Sequence, residues 1–296
     1  MARVLLITNP AAARTRSTTV RAVRDVLRAA GWHAEVAATS GPGDARRLAE
    51  EGVAAGVDIV AVFGGDGTTM QAASALVGTE VALGLIPGGT GNLLAGNLRI
   101  PASPARAAEV LVRGVVRRLD LGRLVAGGEQ HYFAVACGTG YDARVMVETP
   151  SELKQKWGIG AYVATTLRLI DQVRSIRHLI TVDGVEYEAH AALVLVANCA
   201  EVIPPLIRFG DGVSPEDGLL DVVVLRADSL AEGVHAVWQF LRGGPGSRVG
   251  HVRGREIRVE TDRPEPVQLD GDAGGTTPFT ATVVPAALRV LSPPAP

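Results

Sequence analysis

Short apolar runs alternate with amphipathic segments along the first 125 residues of the chain. The runs "RVLLITN" (3–9) and "VAVF" (60–63) have the length and the apolar character of buried strands. Residues 16–30 and roughly 44–54 instead carry apolar side chains three or four positions apart, which is typical of one helix face. This alternation predicts an α/β domain in which helices pack on a parallel β-sheet.

The pattern changes after about residue 126, where short strands are separated by tight turns. The stretch "HLITVDGVEYEAHAALVLVAN" (178–198) predicts a β-hairpin around Asp183 and Gly184. One helix is predicted within this half, near 151–174. The half is otherwise predicted to be antiparallel β, with further strands in "GLLDVVVLRA", "REIRVET", "PVQLDGD" and "FTATVVP".

Two glycine-rich turns each follow a predicted strand and precede a predicted helix. They are "GGDGTT" (64–69) and "PGGTGN" (87–92). Glycine lets a ligand approach the main chain where a Cβ would clash, and the N–H groups at a helix start attract anions. In a parallel sheet both turns lie at the carboxyl edge, where ligands bind. The pair therefore predicts a phosphate site, although Asp66-Gly67 alone would be an ordinary tight turn.

Asp66 narrows the choice of phosphate ligand. Neither turn carries the lysine of a P-loop, and the first strand is not followed by the Gly-x-Gly-x-x-Gly of dinucleotide-binding folds. The looser match "GTGYDA" (138–143) lies in the β half and has no clear helix after it. A solvent-facing carboxylate repels phosphate unless a divalent cation lies between them. The turns therefore predict a magnesium nucleotide and phosphoryl transfer.

Composition excludes several classes of protein. Apolar residues make up 47% of the 296 positions and the mean hydropathy is +0.21, which excludes a disordered chain. No apolar run approaches the ~20 residues of a membrane span, and no signal peptide precedes the first strand, so we expect a cytoplasmic protein. A net charge of −2 argues against a nucleic-acid partner. Cys137 and Cys199 stand in apolar runs and are predicted to be buried free thiols.

Seven motifs follow one another along nearly the whole chain: "GGDGT" (64–68), "PGGTGNLLA" (87–95), "LDLG" (119–122), "GTGYDA" (138–143), "LKQKWGIGAY" (153–162), "SPEDGLLDV" (214–222) and "LDGD" (269–272). In this order they resemble the motifs of soluble bacterial lipid kinases of the diacylglycerol kinase catalytic-domain family, which are relatives of sphingosine kinases. The first motif alone is shared with NAD kinases, but the ordered set is specific.

The resemblance implies an N-terminal three-layer α/β nucleotide-binding domain, like that of NAD kinases and diacylglycerol kinases, and a C-terminal antiparallel β-sandwich. The first domain would comprise residues 1–125 together with a returning segment, 286–296, that contains the strand "ALRVLSP" (287–293). The sandwich would comprise 126–285 and present a lipid hydroxyl. ATP and Mg²⁺ are the cofactors that the resemblance implies.

The resemblance also implies catalytic and nucleotide-binding residues. Asp272 stands where the family has its general base, a glutamate. Because aspartate is one methylene shorter, Asp270 is a competing candidate, and Asp66 is a third catalytic carboxylate. The implied nucleotide contacts are Asn9, Pro10, Thr39, Gly64, Gly65, Gly67, Thr68, Gln71, Gly89, Thr90 and Asn92.

A magnesium site is implied in the second half of the chain. The side chain of Asp217 would bind the ion together with the main-chain oxygens of Ser214 and Leu219. Asp120 would join this network through water. Alone, each of these positions is compatible with a turn or with a buried strand end, so the implied site depends on the ordered motifs.

The implied reaction is transfer of the γ-phosphoryl group of ATP to a lipid hydroxyl, with diacylglycerol as acceptor and phosphatidic acid as product. The alternatives are a kinase of NAD or another small molecule that shares only the GGDGT loop, and a non-catalytic nucleotide or lipid sensor. Residues 152–177 are apolar and basic and contain Lys154 and Lys156, the only lysines. This segment either rests on the inner face of an anionic membrane or only packs on the sheet. A homodimer is also left open.

Overall fold

The computed structural model describes residues 1–140, 143, 174–203, 207–208, 212–227, 229, 232 and 249–294. The predicted helix near 151–174 and its two lysines lie outside the described residues, as does part of "GTGYDA". The chain divides into two compact units. One is Met1–Leu119 with Ala286–Pro296, and the other is Asp120–Pro285.

The first unit alternates strands and helices: β1 (Arg3–Thr8), α1 (Ser17–Ala29), β2 (His33–Ala38), α2 (Asp44–Ala54), β3 (Ile59–Gly64), α3 (Asp66–Leu76), β4 (Ala82–Pro87), α4 (Leu93–Asn97) and α5 (Pro104–Arg113). The four strands are parallel, in the order β2-β1-β3-β4. Helix α1 contacts α5, and α2 contacts α3.

The two helix pairs cover opposite faces of this sheet. Gly52 of α2 lies against Val60, whereas Leu111 of α5 lies against Gly84, which is paired with Ala61. Val60 and Ala61 are consecutive in β3, so their side chains point to opposite faces. Every residue of β3 and β4 is buried, which explains why both strands are uninterrupted apolar runs. Their last residues are paired, so the two glycine turns begin side by side.

The second unit is built from short strands: β5 (Val115–Ala126), which begins in the first unit, β6 (Glu129–Phe133), β7 (Ala136–Gly140), β8 (Ile176–Val182), β9 (Val185–Ala191), β10 (Leu193–Ala197), β11 (Glu201–Ile203), β12 (Ile207–Arg208), β13 (Leu220–Leu225), β14 (Val249–Gly254), β15 (Glu256–Thr261), β16 (Pro266–Leu269) and β17 (Asp272–Thr276). The last strand of the chain is β18 (Phe279–Ser292).

The strands of the second unit form two antiparallel layers. One has the order β14-β13-β10-β7-β16-β17. In the other, β15 pairs with β8 and with the first part of β18, and β8 pairs with β9. Buried side chains from both layers form one core, which includes Phe133, Val194, Ile257 and Phe279. The predicted fold class, an α/β unit followed by an antiparallel β-sandwich, is confirmed.

Strand β18 differs from the sequence prediction in its continuity. The sequence predicts separate strands at 279–285 and 287–293, whereas the structure has one strand from Phe279 to Ser292. Ala286, directly after a proline, has a left-handed φ of 49°, so the backbone bends there without ending the strand. Beyond the bend, Val290 pairs in parallel with Leu83 of β4.

Both cysteines are free and buried, as predicted. Cys137 lies on β7, within the core of the second unit. Among the described residues, no helix combines the length and the apolar character needed to cross a bilayer.

Candidate active site

The two glycine turns of the first unit lie against each other. The main-chain N–H groups of Gly88 and Gly89 both donate to the carbonyl oxygen of Gly64, at 2.8 and 3.2 Å. A Cβ on Gly89 would lie 2.7 Å from the Cα of Gly65, closer than real Cβ atoms approach. Glycine is therefore required by the close approach of the two backbones, quite apart from any ligand.

Asp66 joins the two turns through its carboxylate. Oδ2 accepts the main-chain N–H of Asn92 at 2.7 Å, and Oδ1 accepts that of Leu93 at 2.6 Å. Gly91 leaves room for this contact, because a Cβ there would lie 2.6 Å from Oδ2. The sequence predicts a solvent-facing carboxylate, whereas the structure has a partly buried one that braces the second turn.

Two asparagines complete the hydrogen bonding around the turns. Asn92 has a left-handed φ of 52°; its Oδ1 accepts the N–H of Gly89 at 3.0 Å and its Nδ2 donates to the Gly89 carbonyl at 2.7 Å. Asn9, directly after β1, donates through Nδ2 to Oγ1 of Thr68 at 2.9 Å. Its main-chain N–H donates to the carbonyl of Phe63 at 3.0 Å. The loop after β1 and both glycine turns thus form one connected surface.

The N-terminus of α3 opens onto this surface. Gly65 precedes the helix, and Gly67 and Thr68 lie in its first turn. Thr90 is exposed on the neighbouring turn. The first N–H groups of a helix have no acceptor within the helix, and the helix dipole makes this end positive. The arrangement therefore has the chemistry that suits an anion such as a phosphate group.

Thr39 and Gln71 border the turn between β2 and α2. The main-chain N–H of Thr39 donates to the carbonyl of the last residue of β1 at 2.9 Å. Gln71, on α3, accepts the N–H of Gly43 through Oε1 at 3.1 Å. Hydrogen bonds from Ser40 lower the pKa of Asp44 to about 2, so this carboxylate stays charged and holds the turn. Both predicted nucleotide contacts lie at this anchored turn.

A cavity of about 340 Å³ lies beside the loop after β1. Its described lining residues bring hydroxyl and guanidinium groups and no carboxylate, so its chemistry suits a polar or anionic ligand. Of the predicted site residues only Pro10 lines it. Sequence reasoning missed the arginines, because arginine on one face of a helix is usually just solvated. The lining residues are Thr8, Pro10, Thr15, Ser17, Val20, Arg21 and Arg24.

Asp120 anchors the loop of the second unit that carries the predicted metal ligands. Its side chain is buried, and Oδ2 accepts the main-chain N–H of Gly218 at 2.7 Å. Its own N–H donates to the carbonyl of Pro215 at 2.7 Å. Nδ2 of the buried Asn198 donates to the Asp120 carbonyl at 2.9 Å. Asp120 therefore contacts the 212–219 loop directly, through hydrogen bonds to its main chain.

The carboxylate of Asp217, a predicted magnesium ligand, contacts a main-chain N–H group and an arginine of the second unit. Oδ1 accepts the main-chain N–H of Leu219 at 3.0 Å, and Oδ2 pairs with the guanidinium of Arg253. Arg253 also lies 3.1 Å, through Nε, from Oδ1 of the buried Asp221. Nε2 of His251 lies 2.6 Å from the same oxygen. The sequence did not single out Arg253, which stands in an arginine-rich stretch.

The predicted magnesium ligands do not fit a divalent ion while Arg253 keeps this position. An all-oxygen set from Asp217, Ser214 and Leu219 is of the type that Mg²⁺ prefers. Both carboxylate oxygens of Asp217 already have partners, however, and one partner is a cation. Among the described residues, no three His, Cys, Asp or Glu side chains are grouped as a metal site requires.

The structure separates the two candidates for the general base. Oδ2 of Asp270 accepts the main-chain N–H of Ala134 at 2.7 Å, and Oδ1 accepts those of Val135 and Ala136, both at 2.9 Å. Asp270 also forms, with its neighbouring glycine, the two-residue turn between β16 and β17. Asp272, at the start of β17, is exposed. Asp270 is therefore an anchor for the hairpin that carries Asp272.

Family models match both units of the chain. Residues 3–124 match the diacylglycerol kinase catalytic domain. Residues 135–292 match the YegS C-terminal NAD kinase β-sandwich-like domain. The boundary between the two matches lies close to the boundary between the two units.

Two curated proteins and one solved structure are similar over most of this chain. A diacylglycerol kinase of Mycobacterium tuberculosis is 32% identical over 84% of the chain and 82% of that protein. An uncharacterized Synechocystis protein is 29% identical over 80% of the chain, which spans only 55% of that protein. The crystal structure of a diacylglycerol kinase from Bacillus anthracis is 25% identical, with a TM-score of 0.77 over 99% of this chain and 97% of that one.

Proposed function

The chain belongs to the family of the diacylglycerol kinase catalytic domain, and from that membership we propose that it is an ATP-dependent lipid kinase. It transfers the γ-phosphoryl group of ATP to the hydroxyl of diacylglycerol and releases phosphatidic acid and ADP. Diacylglycerol is the acceptor named in the relatives, and it comes to this chain as part of the proposal.

The pair of braced glycine turns is the observation that carries this proposal. The turns bring main-chain N–H groups and a helix N-terminus together at the carboxyl ends of β3 and β4. Because glycines line the surface, phosphate oxygens can reach the main chain without meeting a side chain. Asp66 keeps the second turn in place through the amides of Asn92 and Leu93. Phosphoryl transfer depends mainly on such positioning and charge stabilisation.

Mg²⁺ enters the proposal together with ATP. When bound, the ion neutralises charge on the transferring phosphoryl group. Mg²⁺ in kinases is held by substrate phosphates and water together with one or two carboxylates, so it needs few protein ligands. The residues of the first unit then have to bind and orient the triphosphate, and the N–H groups at the start of α3, around Gly65 and Thr68, support this role.

Asp272 is the proposed general base. Its carboxylate accepts the proton of the acceptor hydroxyl as the new oxygen–phosphorus bond forms and the bond to the leaving ADP breaks. An exposed carboxylate at the start of a strand has room for an acceptor. Asp270 holds the turn before it, through three main-chain amides, and acts as a positioning residue.

The lipid is proposed to be met at the inner face of the membrane. The support is the sequence of residues 152–177, which mixes apolar and basic side chains and lies mostly outside the described residues. Such a segment binds anionic lipid surfaces through both kinds of side chain. A cytoplasmic protein that is peripheral to the membrane follows from this proposal.

The experiment is a transfer assay with the full chain, ATP labelled in the γ-phosphate, Mg²⁺, and diacylglycerol in detergent micelles. A labelled product that migrates with phosphatidic acid is the expected result. NAD and glycerol are offered in parallel reactions. Labelling of either one in preference to the lipid would show a small-molecule kinase. ATP binding without labelling of any acceptor would show a sensor.

A further inference from the structure

Arg253 cross-links a surface loop to the sheet beneath it. It lies on β14, directly opposite Asp221 on β13. Its Nε lies 3.1 Å from Oδ1 of Asp221, and a terminal nitrogen donates to the carbonyl of Gly212 at 3.2 Å. The same terminal nitrogen pairs with Oδ2 of Asp217. One guanidinium therefore contacts two carboxylates and one carbonyl around the 212–219 loop.

The buried carboxylate of Asp221 requires a nearby positive charge. The side chain of Asp221 is 1% exposed, and its Oδ2 is buried without a hydrogen bond among the described residues. An ionised carboxylate in such a place is costly unless a cation accompanies it. Arg253 supplies that charge, and it shares it with Asp217. A planar guanidinium with several donors suits such a bridge better than a lysine ammonium would.

The other side of the 212–219 loop is already fixed. Asp120 accepts the N–H of Gly218 and donates its own N–H to Pro215, both at 2.7 Å. Arg253 and Asp120 thus hold the loop from two different strands, β14 and β5. The cross-link that a bound divalent ion would give the loop is present in the protein itself.

A divalent ion at Asp217 would compete with this arrangement. It would place two positive charges close to the guanidinium, and like charges at such distances repel each other strongly where water is partly excluded. If Arg253 moved away instead, His251 would be the side-chain partner that remains to Asp221 among the described residues. The ion and the arginine therefore exclude each other.

We propose that Arg253 is the resident cation of the 212–219 loop, so that this loop is folded without a divalent ion and Mg²⁺ binds the protein only with the nucleotide. A 212–219 loop without a divalent ion differs from the magnesium site that the motif resemblance implies. Only the part on nucleotide-borne Mg²⁺ rests on the proposed function.

The first test uses the full chain without nucleotide. The thermal midpoint of unfolding is measured after EDTA treatment, and again with MgCl₂ added at millimolar concentration. We expect the wild-type midpoint to be the same in both, and we expect no Mg²⁺ to remain bound after gel filtration, by elemental analysis. A binder of the native state alone would raise the midpoint as its concentration rose. A midpoint that falls in EDTA and recovers with Mg²⁺, or one bound ion per chain, overturns the proposal.

The second test removes the guanidinium. Arg253→Gln leaves Asp217 and Asp221 without their shared cation, so we expect a lower midpoint in EDTA and a partial recovery with MgCl₂ that the wild type lacks. Arg253→Lys keeps a charge and is expected to lie between the two. The matched control is Arg258→Gln on β15, an exposed arginine paired with Glu260, which should behave as the wild type. Equal responses to MgCl₂ in wild type and Arg253→Gln contradict the proposal.

Neither test depends on kinase activity. If the wild-type midpoint does not depend on Mg²⁺ but the protein transfers no phosphate, the role of Arg253 stands and the proposed function is wrong. If the protein is an active kinase and binds one Mg²⁺ without nucleotide, only the proposed role of Arg253 is wrong. If Arg253→Gln does not fold, the wild-type measurements still decide the outcome.

Discussion

Oδ2 of Asp66 lies 2.7 Å from the main-chain nitrogen of Asn92, so a carboxylate on one glycine turn holds the backbone of the other. This contact changes what a substitution of Asp66 should do. A residue that only faced solvent and a metal ion would affect activity alone. A residue that also braces a turn should affect stability as well.

We expect Asp66→Ala to lower the free energy of unfolding by about 2 kcal/mol, because two main-chain N–H groups lose a charged acceptor. Activity should fall at least roughly 100-fold, since the phosphate surface is no longer held in shape. Denaturant unfolding and the labelled-ATP assay measure the two effects. Asp66→Asn, which keeps one acceptor oxygen, should lose less stability. Wild-type stability and turnover in Asp66→Ala would remove the phosphate-site assignment.

The second prediction separates Asp272 from Asp270. Asp272→Asn should lower kcat by a factor of about 10²–10⁴, because the proposed general base is lost. The unfolding midpoint should stay unchanged, because the side chain is exposed. Asp270→Asn should lower stability by about 2 kcal/mol, because three amides lose a charged acceptor. Kinetics and thermal unfolding of both variants check this.

The control for this pair is Asp262→Asn, which alters an exposed carboxylate paired with Arg177. It should change neither kcat nor the midpoint. If Asp270→Asn abolishes turnover at full stability while Asp272→Asn remains active, the two roles are reversed.

The secondary structure of the first unit could be predicted because its signals are local. Strands β3 and β4 are buried on both faces, so each is a plain apolar run that ends at glycines. The hairpin between β8 and β9 was likewise marked by Asp183-Gly184, whose positive φ angles suit a two-residue turn. In both cases a few neighbouring residues carry the whole signal.

The roles of individual site residues could not be predicted in the same way. Asp66 is 26 positions from Asn92, and Asp270 is 134 to 136 positions from the amides that it accepts. Such contacts depend on which strands become neighbours, and residue type alone does not specify that. Arg253 illustrates the same limit, because its sequence context indicates only a charged surface. The motif resemblance selected the positions, and the structure shows which of them support the backbone.

The third prediction concerns pH and His178, which is fully buried on β8. Burial lowers its pKa below the ordinary 6.5, an effect partly opposed by the bond from Nδ1 to the Ile176 carbonyl. The charge of Glu265 also raises the pKa, and that of His190 lowers it. Below about pH 6.5 His178 becomes protonated in the unfolded chain and stays neutral in the folded chain. The free energy of unfolding therefore decreases as the pH is lowered, until the pH reaches the pKa of the folded state.

His178→Phe should flatten this dependence between pH 8 and pH 5, because an apolar ring has no proton to bind. Unfolding midpoints across that range give the slope. His33→Gln, a change at an exposed histidine, should keep the wild-type slope. An unchanged slope in His178→Phe would assign the pH dependence to other groups.

The fourth prediction tests the proposed membrane surface. The full chain should bind vesicles of anionic phospholipid, and its affinity should fall as salt rises, because the attraction is screened. Changing Lys154 and Lys156 to glutamate should weaken binding further. The same charge change at Arg28 and Arg106, both exposed on the first unit, is the control. No binding at low salt, or an equal loss in the control, would leave residues 152–177 without a membrane role.

The last prediction concerns the C-terminal segment, which we propose completes the nucleotide-binding unit. Residues Ala286–Pro296 group with Met1–Leu119, and Gly78 donates its N–H to the carbonyl of Ala287 at 3.2 Å. Val290 is fully buried and pairs with Leu83 of β4, the strand that leads into the second glycine turn.

Val290→Ala should therefore cost about 2 kcal/mol of stability. Removal of residues 286–296 should abolish ATP binding, measured by calorimetry, because β4 loses the strand that lies beside it opposite β3. Val116→Ala, at a position that is 44% exposed, is the matched control and should leave both stability and ATP binding unchanged. A truncated chain that binds ATP as the wild type does would show that the first unit is complete without this segment.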